Sequence, residues 1–218
     1  GNTPVNGPHQ GAWVHTKYGE DWFVHFQDKG PYGRVVHLQP LTWKDNWPVI
    51  GRVPQRGYCG TPYLSYRKPK SESRLIVTPQ ESDSFNLPRL GRQWQWQANY
   101  NPSFGMPTSL GFFRLYTYKT NDNFWNVPNL LLQKTPADCF TITAKLTLIS
   151  KAEGQLGGLI MMGLDYSSLV VKRVGDGFVL QQMTCRNADK GGAVTVTPLA
   201  HLAKTGQDDN DYQFAIHE

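Results

Sequence analysis

Between residues 11 and 50 the chain repeats a strand-and-turn unit whose strands are apolar at both parities, and that feature constrains the fold most. Residues 12–16 read as extended, Tyr18-Gly19-Glu20-Asp21 turns the chain, and Trp22-Phe23-Val24-His25-Phe26 is a second strand. A longer turn through Asp28-Lys29-Gly30-Pro31-Tyr32-Gly33 leads into a third strand, Arg34-Val35-Val36-His37-Leu38. Asp45-Asn46 then supplies a hairpin tip before Trp47-Pro48-Val49-Ile50. Strand starts about ten to twelve residues apart are the spacing of an antiparallel meander. In the second strand Trp22, Val24 and Phe26 face one way, Phe23 and His25 the other. A sheet wetted on one side would alternate more cleanly, so both faces are expected to be covered. A β-propeller blade packed between two neighbours meets that condition. A lone four-stranded sheet has no core, so this stretch is expected to need partner sheets that the chain does not contain.

The pattern changes after residue 51. Residues 52–80 are rich in Pro, Gly and Lys without periodicity and read as a linker between a first domain, 1–51, and a second, 81–218. In the second domain, residues 112–118, 130–133, 140–149, 159–164, 169–174 and 178–183 read as strands. Thr141, Thr143, Lys145 and Thr147 alternate with Ile142, Ala144, Leu146 and Leu148, a half-buried strand of period two. Several such strands joined by turns such as Gly175-Asp176-Gly177 indicate a β-sandwich. The chain is expected to be all-β, with a sandwich that would need further strands to close its second sheet.

Charge and cysteine usage narrow the function classes. The net charge of +5 comes from Lys and Arg that form no stripe or run, so nucleic-acid binding ranks last. Aromatic residues reach 12%, with seven Trp, which suits a sugar-facing surface: rings stack on the C–H faces of sugars and planar polar groups pair with hydroxyls. Cys59, Cys139 and Cys185 are far apart with no CxxC pairing, which leaves one disulfide and a free thiol open but favours three unpaired buried thiols. No apolar run reaches membrane-spanning length.

Candidate chemistry is sparse. His9, in Gly7-Pro8-His9-Gln10-Gly11, lies on a loop just before a strand. His15, His25 and His37 fall inside strands at spacings that match no metal motif, and read as packing residues. Arg34 follows a Gly-rich turn, where its planar fork is either an exposed edge charge or a ligand for hydroxyls and carboxylates. Glycoside hydrolysis normally takes two carboxylates, one with a raised pKa. Glu20, Asp21, Asp28 and Asp45 all lie in expected turns with polar neighbours, so none is assigned as catalytic acid or base. Trp94 and Trp96 stand at i, i+2, which gives them either a place in the sandwich core or a sugar-stacking platform. Asp83 and Asp165-Tyr166 leave a structural cation site open, and no metal ligand set is assigned.

The motif GPHQGAW, followed by WFVHFQDKGPYGRVVHLQPLTWKDNWPVIG, resembles the end of the catalytic domain of glycoside hydrolase family 43. ESDSFNLPRLGRQWQWQAN, FFRLYTY, NLLLQK, GGLIMMGLDY and GDGFVLQQM resemble the concanavalin A-like sandwich of its β-xylosidase-type members. This resemblance implies the last blade of a five-bladed propeller followed by the N-terminal part of that sandwich. It implies an inverting enzyme for xylo- or arabino-configured linkages, β-xylosidase- or α-L-arabinofuranosidase-like, secreted or periplasmic. Its three catalytic acids would lie in earlier blades, upstream of these residues. His9 matches a late-blade His near the active centre and Arg34 an Arg at the substrate pocket; Gln27 and Asp28 adjoin the same rim without assigned roles. The expected partners are an oligo- or polysaccharide and the remaining blades, with no nucleic acid and no membrane. No cofactor is required, and a structural calcium is left open. The competing class is a non-catalytic carbohydrate-binding or propeller-buttressing sandwich module.

Overall fold

The computed structural model describes residues 3–7, 9–72, 77–119, 123–137, 139–202 and 211–217. The chain divides into two units, Gly1–Thr78 and Pro79–Glu218. In the first, β1 (His9–His15), β2 (Asp21–Asp28), β3 (Arg34–Lys44) and β4 (Trp47–Ile50) form one antiparallel sheet in chain order. Asp45 and Asn46 both adopt left-handed φ, 50° and 60°, as a two-residue hairpin of matching twist requires, and this sets Lys44 opposite Trp47. The register of β1 on β2 shifts between His9 and Ala12, where Gln10 has φ 41°. Gly11 sits in that bulge because a Cβ there would meet the Phe23 ring at 2.0 Å.

Large apolar side chains stay exposed on both faces of this sheet: Trp13 and Trp43 on one, Val14, Val36 and Leu38 on the other. Both faces of the sheet are thus apolar, as the sequence pattern predicts, and over these side chains neither face is covered. The segment expected as a linker is instead laid onto the sheet for much of its length. Gln39, buried, donates from Nε2 to the Tyr63 carbonyl (2.9 Å) and accepts from the Tyr63 amide at Oε1 (2.8 Å). Arg52 and Thr61 form a bridge, and the Gly60 backbone lies so close to the Ile50 carbonyl that a Cβ would come within 2.0 Å. Glu20 accepts from Arg67 (2.5 Å) and from the Lys70 amide (2.9 Å). Sequence periodicity cannot reveal such packing, because each contact joins single residues nine to fifty positions apart.

The second unit contains β5 (Gln95–Trp96), β6 (Gly105–Pro107), β7 (Phe113–Leu115), β8 (Leu131–Leu132), β9 (Thr141–Thr147), β10 (Leu156–Met161), β11 (Tyr166–Val174), β12 (Gly177–Cys185), β13 (Val194–Leu202) and β14 (Asp211–His217). Strands β10 to β13 make a four-stranded antiparallel sheet, and β5–β8, β6–β7 and β9–β14 pair separately. Both faces of the four-stranded sheet carry core. On one, Tyr166, Val170 and Cys185 pack with Phe124, Val127 and Ala188; on the other, Val171 and Phe178 pack with Leu148 and Leu146. In β9, Ile142, Ala144 and Leu146 are half-buried while Thr141, Thr143, Lys145 and Thr147 are exposed, as their alternation predicts. Strand β13, which the sequence reading did not single out, extends the sheet along β12.

Candidate functional site

One end of the first sheet gathers the residues that the sequence marks. The start of β1, the end of β2 and the start of β3 meet there, with His9 opposite Phe26 and Asp28 opposite Arg34. The His9 side chain lies outside the described residues. The Arg34 guanidinium lies 4.8 Å from the centre of the Phe26 ring, a cation–π seat that fixes its plane. Among the described residues no carboxylate forms an ion pair with Arg34. Asp28, the nearest acid in register, is turned to its own loop, where Oδ1 accepts from the Gly30 amide (3.0 Å). The Arg34 side chain is exposed and its fork remains open to a ligand.

Behind this end lies a row of buried polar groups, of which the sequence assigns His25 and His37 to packing and leaves Gln27 without a role. Gln27 is buried; its Nε2 makes a long contact to Asn6 (3.5 Å), and its Oε1 has no partner among the described residues. His25 Nδ1 and His37 Nε2 are likewise buried and unpartnered among them. The two imidazoles face each other across β2 and β3 at 5.4 Å, and Phe23 stacks on His25 at 6.0 Å. His15 differs: it is exposed and pairs with Asp21 (2.7 Å), so it is a surface ion partner rather than a packing residue.

Burial, then neighbouring His25 and then Lys29 hold the His37 imidazole below its ordinary pKa. The unfolded chain therefore binds the proton more readily than the folded one. Stability is full above the unfolded value and falls as pH drops from it towards the folded value. The melting temperature should accordingly decline by a few degrees between about pH 7.5 and 5.5, the imidazole range. His37→Gln should flatten that slope in a calorimetric pH series. Melting temperatures that rise on acidification through this window would contradict the account.

The acids of the first unit are occupied as acceptors rather than free in turns. Asp21 lies in β2 and accepts from Trp13 Nε1 (2.8 Å) and Trp43 Nε1 (3.1 Å) besides His15. Its pKa is lowered, first by His15 and then by Trp13. Glu20 is lowered, first by Arg67 and then by the Lys70 amide. A carboxyl held below its usual range stays ionised at neutral pH, so neither residue can donate a proton as a general acid. Asp45 accepts from the Tyr58 hydroxyl (3.0 Å).

In the second unit, Trp94 and Trp96 are half-buried in an aromatic cluster. Trp94 donates to Asp83 (2.8 Å) and lies 5.4 Å from Phe85; Trp96 lies 5.5 Å from Phe104 and 6.1 Å from Phe113. Neighbouring rings flank both, a packing arrangement that leaves each partly exposed. Asp83 also accepts from the Phe85 amide (2.8 Å), and Asp165 accepts from the Asn187 amide (2.8 Å). Among the described residues no three His, Cys, Asp or Glu side chains converge as a metal site. Cys185 is buried, but Cys59 and Cys139 are exposed, against the expectation of three buried thiols. Cys59 ends up at the surface because its segment is held by backbone and polar contacts, not by a core.

The family model of the β-xylosidase C-terminal concanavalin A-like domain matches residues 82–217. A Xylanibacter ruminicola protein that carries a β-xylosidase name is 37% identical over 151 residues, covering 68% of this chain and 28% of that protein. The non-reducing end α-L-arabinofuranosidase BoGH43B of Bacteroides ovatus is 28% identical over 184 residues, covering 80% of this chain and 32% of that enzyme. A bifunctional GH43-CE protein of Bacteroides eggerthii has a solved structure that superimposes with a TM-score of 0.69 at 25% identity, covering 96% of this chain and 26% of that one. The chain thus spans about a third or less of the length of these relatives.

Proposed function

Because the chain belongs to glycoside hydrolase family 43 through its β-xylosidase-type concanavalin A-like domain, we propose that it is part of an enzyme that hydrolyses O-glycosidic bonds of xylan- or arabinan-type polysaccharides. The first sheet is the last blade of the catalytic propeller, and its His9–Arg34 end contributes to the sugar pocket. The observation that carries this reading is the joint placement of His9 and Arg34 at one end of a sheet that is apolar on both faces. Arg34, seated on Phe26 without an acid partner among the described residues, is poised to donate paired hydrogen bonds to sugar hydroxyls. The catalytic acids, in an inverting arrangement, come from the other blades, whose surfaces also satisfy His25, Gln27 and His37. The enzyme works outside the cytoplasm, where its polymer substrate is, and takes no cofactor.

A non-catalytic module remains the second reading, favoured by the lowered pKa of Glu20 and Asp21. Assays with 4-nitrophenyl xyloside and arabinofuranoside separate the two. The 218-residue chain should show no turnover by itself, whereas the whole gene product should be active. Arg34→Ala in the whole protein should lower kcat/KM about thirtyfold, the cost of about 2 kcal/mol for charged hydrogen bonds. An inactive whole protein, or an unchanged kcat/KM in the variant, would leave the module reading in its place.

A further inference from the structure

The β3–β4 hairpin stands at the opposite end of the sheet from His9 and Arg34, separated by the length of β3, up to about 33 Å at the rise of a strand. There Asp45, Trp47, Tyr58 and Cys59 line an open depression of about 610 Å³. Trp47 is 59% exposed and Tyr58 47%, so two large rings face solvent beside a carboxylate. We propose that this depression is a second, non-catalytic binding site for a neutral pentose or hexose chain. The choice of sugar rests in part on the function proposed above; the separation from the Arg34 end makes it a different site.

The hairpin backbone and the Tyr58 ring are held before any ligand arrives. Asp45 and Asn46 lock the hairpin that presents Trp47. Tyr58 is tied by its hydroxyl to Asp45 Oδ2 (3.0 Å), and Lys44 lies 5.3 Å from its ring while donating to the Gly57 carbonyl (3.0 Å). Little conformational freedom is left to lose on binding. An indole face suits the C–H side of a sugar ring, and the second Asp45 oxygen can accept from a hydroxyl. Few polar groups set beside aromatic rings is the usual make-up of a small-molecule site. A phosphate backbone fits poorly, because Asp45 would repel it and Lys44 is already engaged. A weak site of this kind on a polymer-degrading protein raises the effective concentration of substrate at the catalytic end.

Affinity electrophoresis through soluble arabinoxylan, with xylohexaose titration alongside, tests the site on the 218-residue chain. The wild-type chain should be retarded. Trp47→Ala should weaken binding at least about tenfold, a loss of about 1.4 kcal/mol, while Trp47→Phe keeps most of the retardation and shows that the ring, not the fold, is responsible. Tyr58→Phe should cost two- to threefold by freeing its ring from Asp45, at about 0.5 kcal/mol. Leu64→Ala, another exposed apolar change in the same unit, serves as the control with wild-type retardation. An unretarded wild type, or Trp47→Ala that migrates as wild type does, would overturn the proposal. So would protection of Trp47 from N-bromosuccinimide in the whole protein, which would assign the patch to a protein contact. Retardation alongside an inactive whole protein removes only the catalytic reading, and turnover without retardation removes only this site.

Discussion

Residues 1–78 produced without the second unit should show β-strand circular dichroism but no cooperative melting transition, and should bind an apolar dye. Val5, Trp22, Pro40, Leu41 and Val49 are the buried apolar side chains among the described residues of that unit. Fixing the backbone of each residue costs about 1–2 kcal/mol. Five apolar side chains, at about 1.5–3 kcal/mol each, do not approach that sum for so long a segment. Meanwhile Trp13, Val14, Val36, Leu38 and Trp43 sit exposed on the two faces, where an unpartnered sheet leaves them wet. The Gln39 ties to Tyr63 add only about 1 kcal/mol apiece, and the Glu20 contacts with Arg67 and Lys70 order the chain at the surface. A sharp thermal transition without dye binding would show that the sheet stabilises itself, and the blade assignment would lose its physical basis.

Gly192→Ala should be the most damaging small substitution in the second unit, costing about 3 kcal/mol, roughly a hundredfold in the folded-to-unfolded ratio. A Cβ at position 192 would lie 1.8 Å from the Arg186 carbonyl oxygen and 3.0 Å from that of Asn187, both backbone atoms that cannot step aside. The same residue closes a network. Its amide donates to Asn187 (3.0 Å), and its carbonyl accepts from Asn123 Nδ2 (3.3 Å) and the Cys185 thiol (3.1 Å). Asn123 is 2% exposed and also donates to the Ala188 carbonyl (3.2 Å) while accepting from the Trp125 amide (2.9 Å). Opening the 186–192 turn therefore uncouples the 124–127 segment from the sheet face carrying Tyr166 and Cys185. Gly177→Ala is the matched control, since its nearest contact would be 3.8 Å. Urea unfolding of both variants gives the comparison. A difference of less than about 1 kcal/mol would remove the argument from close backbone approach.

The first sheet could be read almost strand by strand, because Trp47-Pro48-Val49-Ile50 and the Asp45-Asn46 tip carry their conformations in their own side chains and neighbours. Strand β9 was equally plain from the alternation of Thr and Lys with Ile, Ala and Leu. Strand β13 was passed over: Val194-Thr195-Val196-Thr197 alternates for a short run, but Pro198 interrupts it, at the point where the register with β12 shifts. In the candidate site, Arg34 and His9 were found from motif context, while Phe26 beneath the guanidinium was not. Its role depends on a cross-strand neighbour rather than on its own flanks. Tyr58 could not be connected to Asp45 and Trp47 at all, because it lies in a segment with no periodic signal.

By itself the sequence determined the strand class, the turns and the two-sided apolar character of the opening sheet. Those properties follow from side-chain period and local backbone preference, which neighbouring residues settle among themselves. The tertiary structure alone decided which acids are tied up, which cysteines face water, that residues 52–72 lie on the sheet, and that Trp94 and Trp96 are flanked by other rings. Such outcomes rest on pairs such as Glu20 with Arg67 or Gln39 with Tyr63, brought together only when the folded chain closes long loops around its apolar faces.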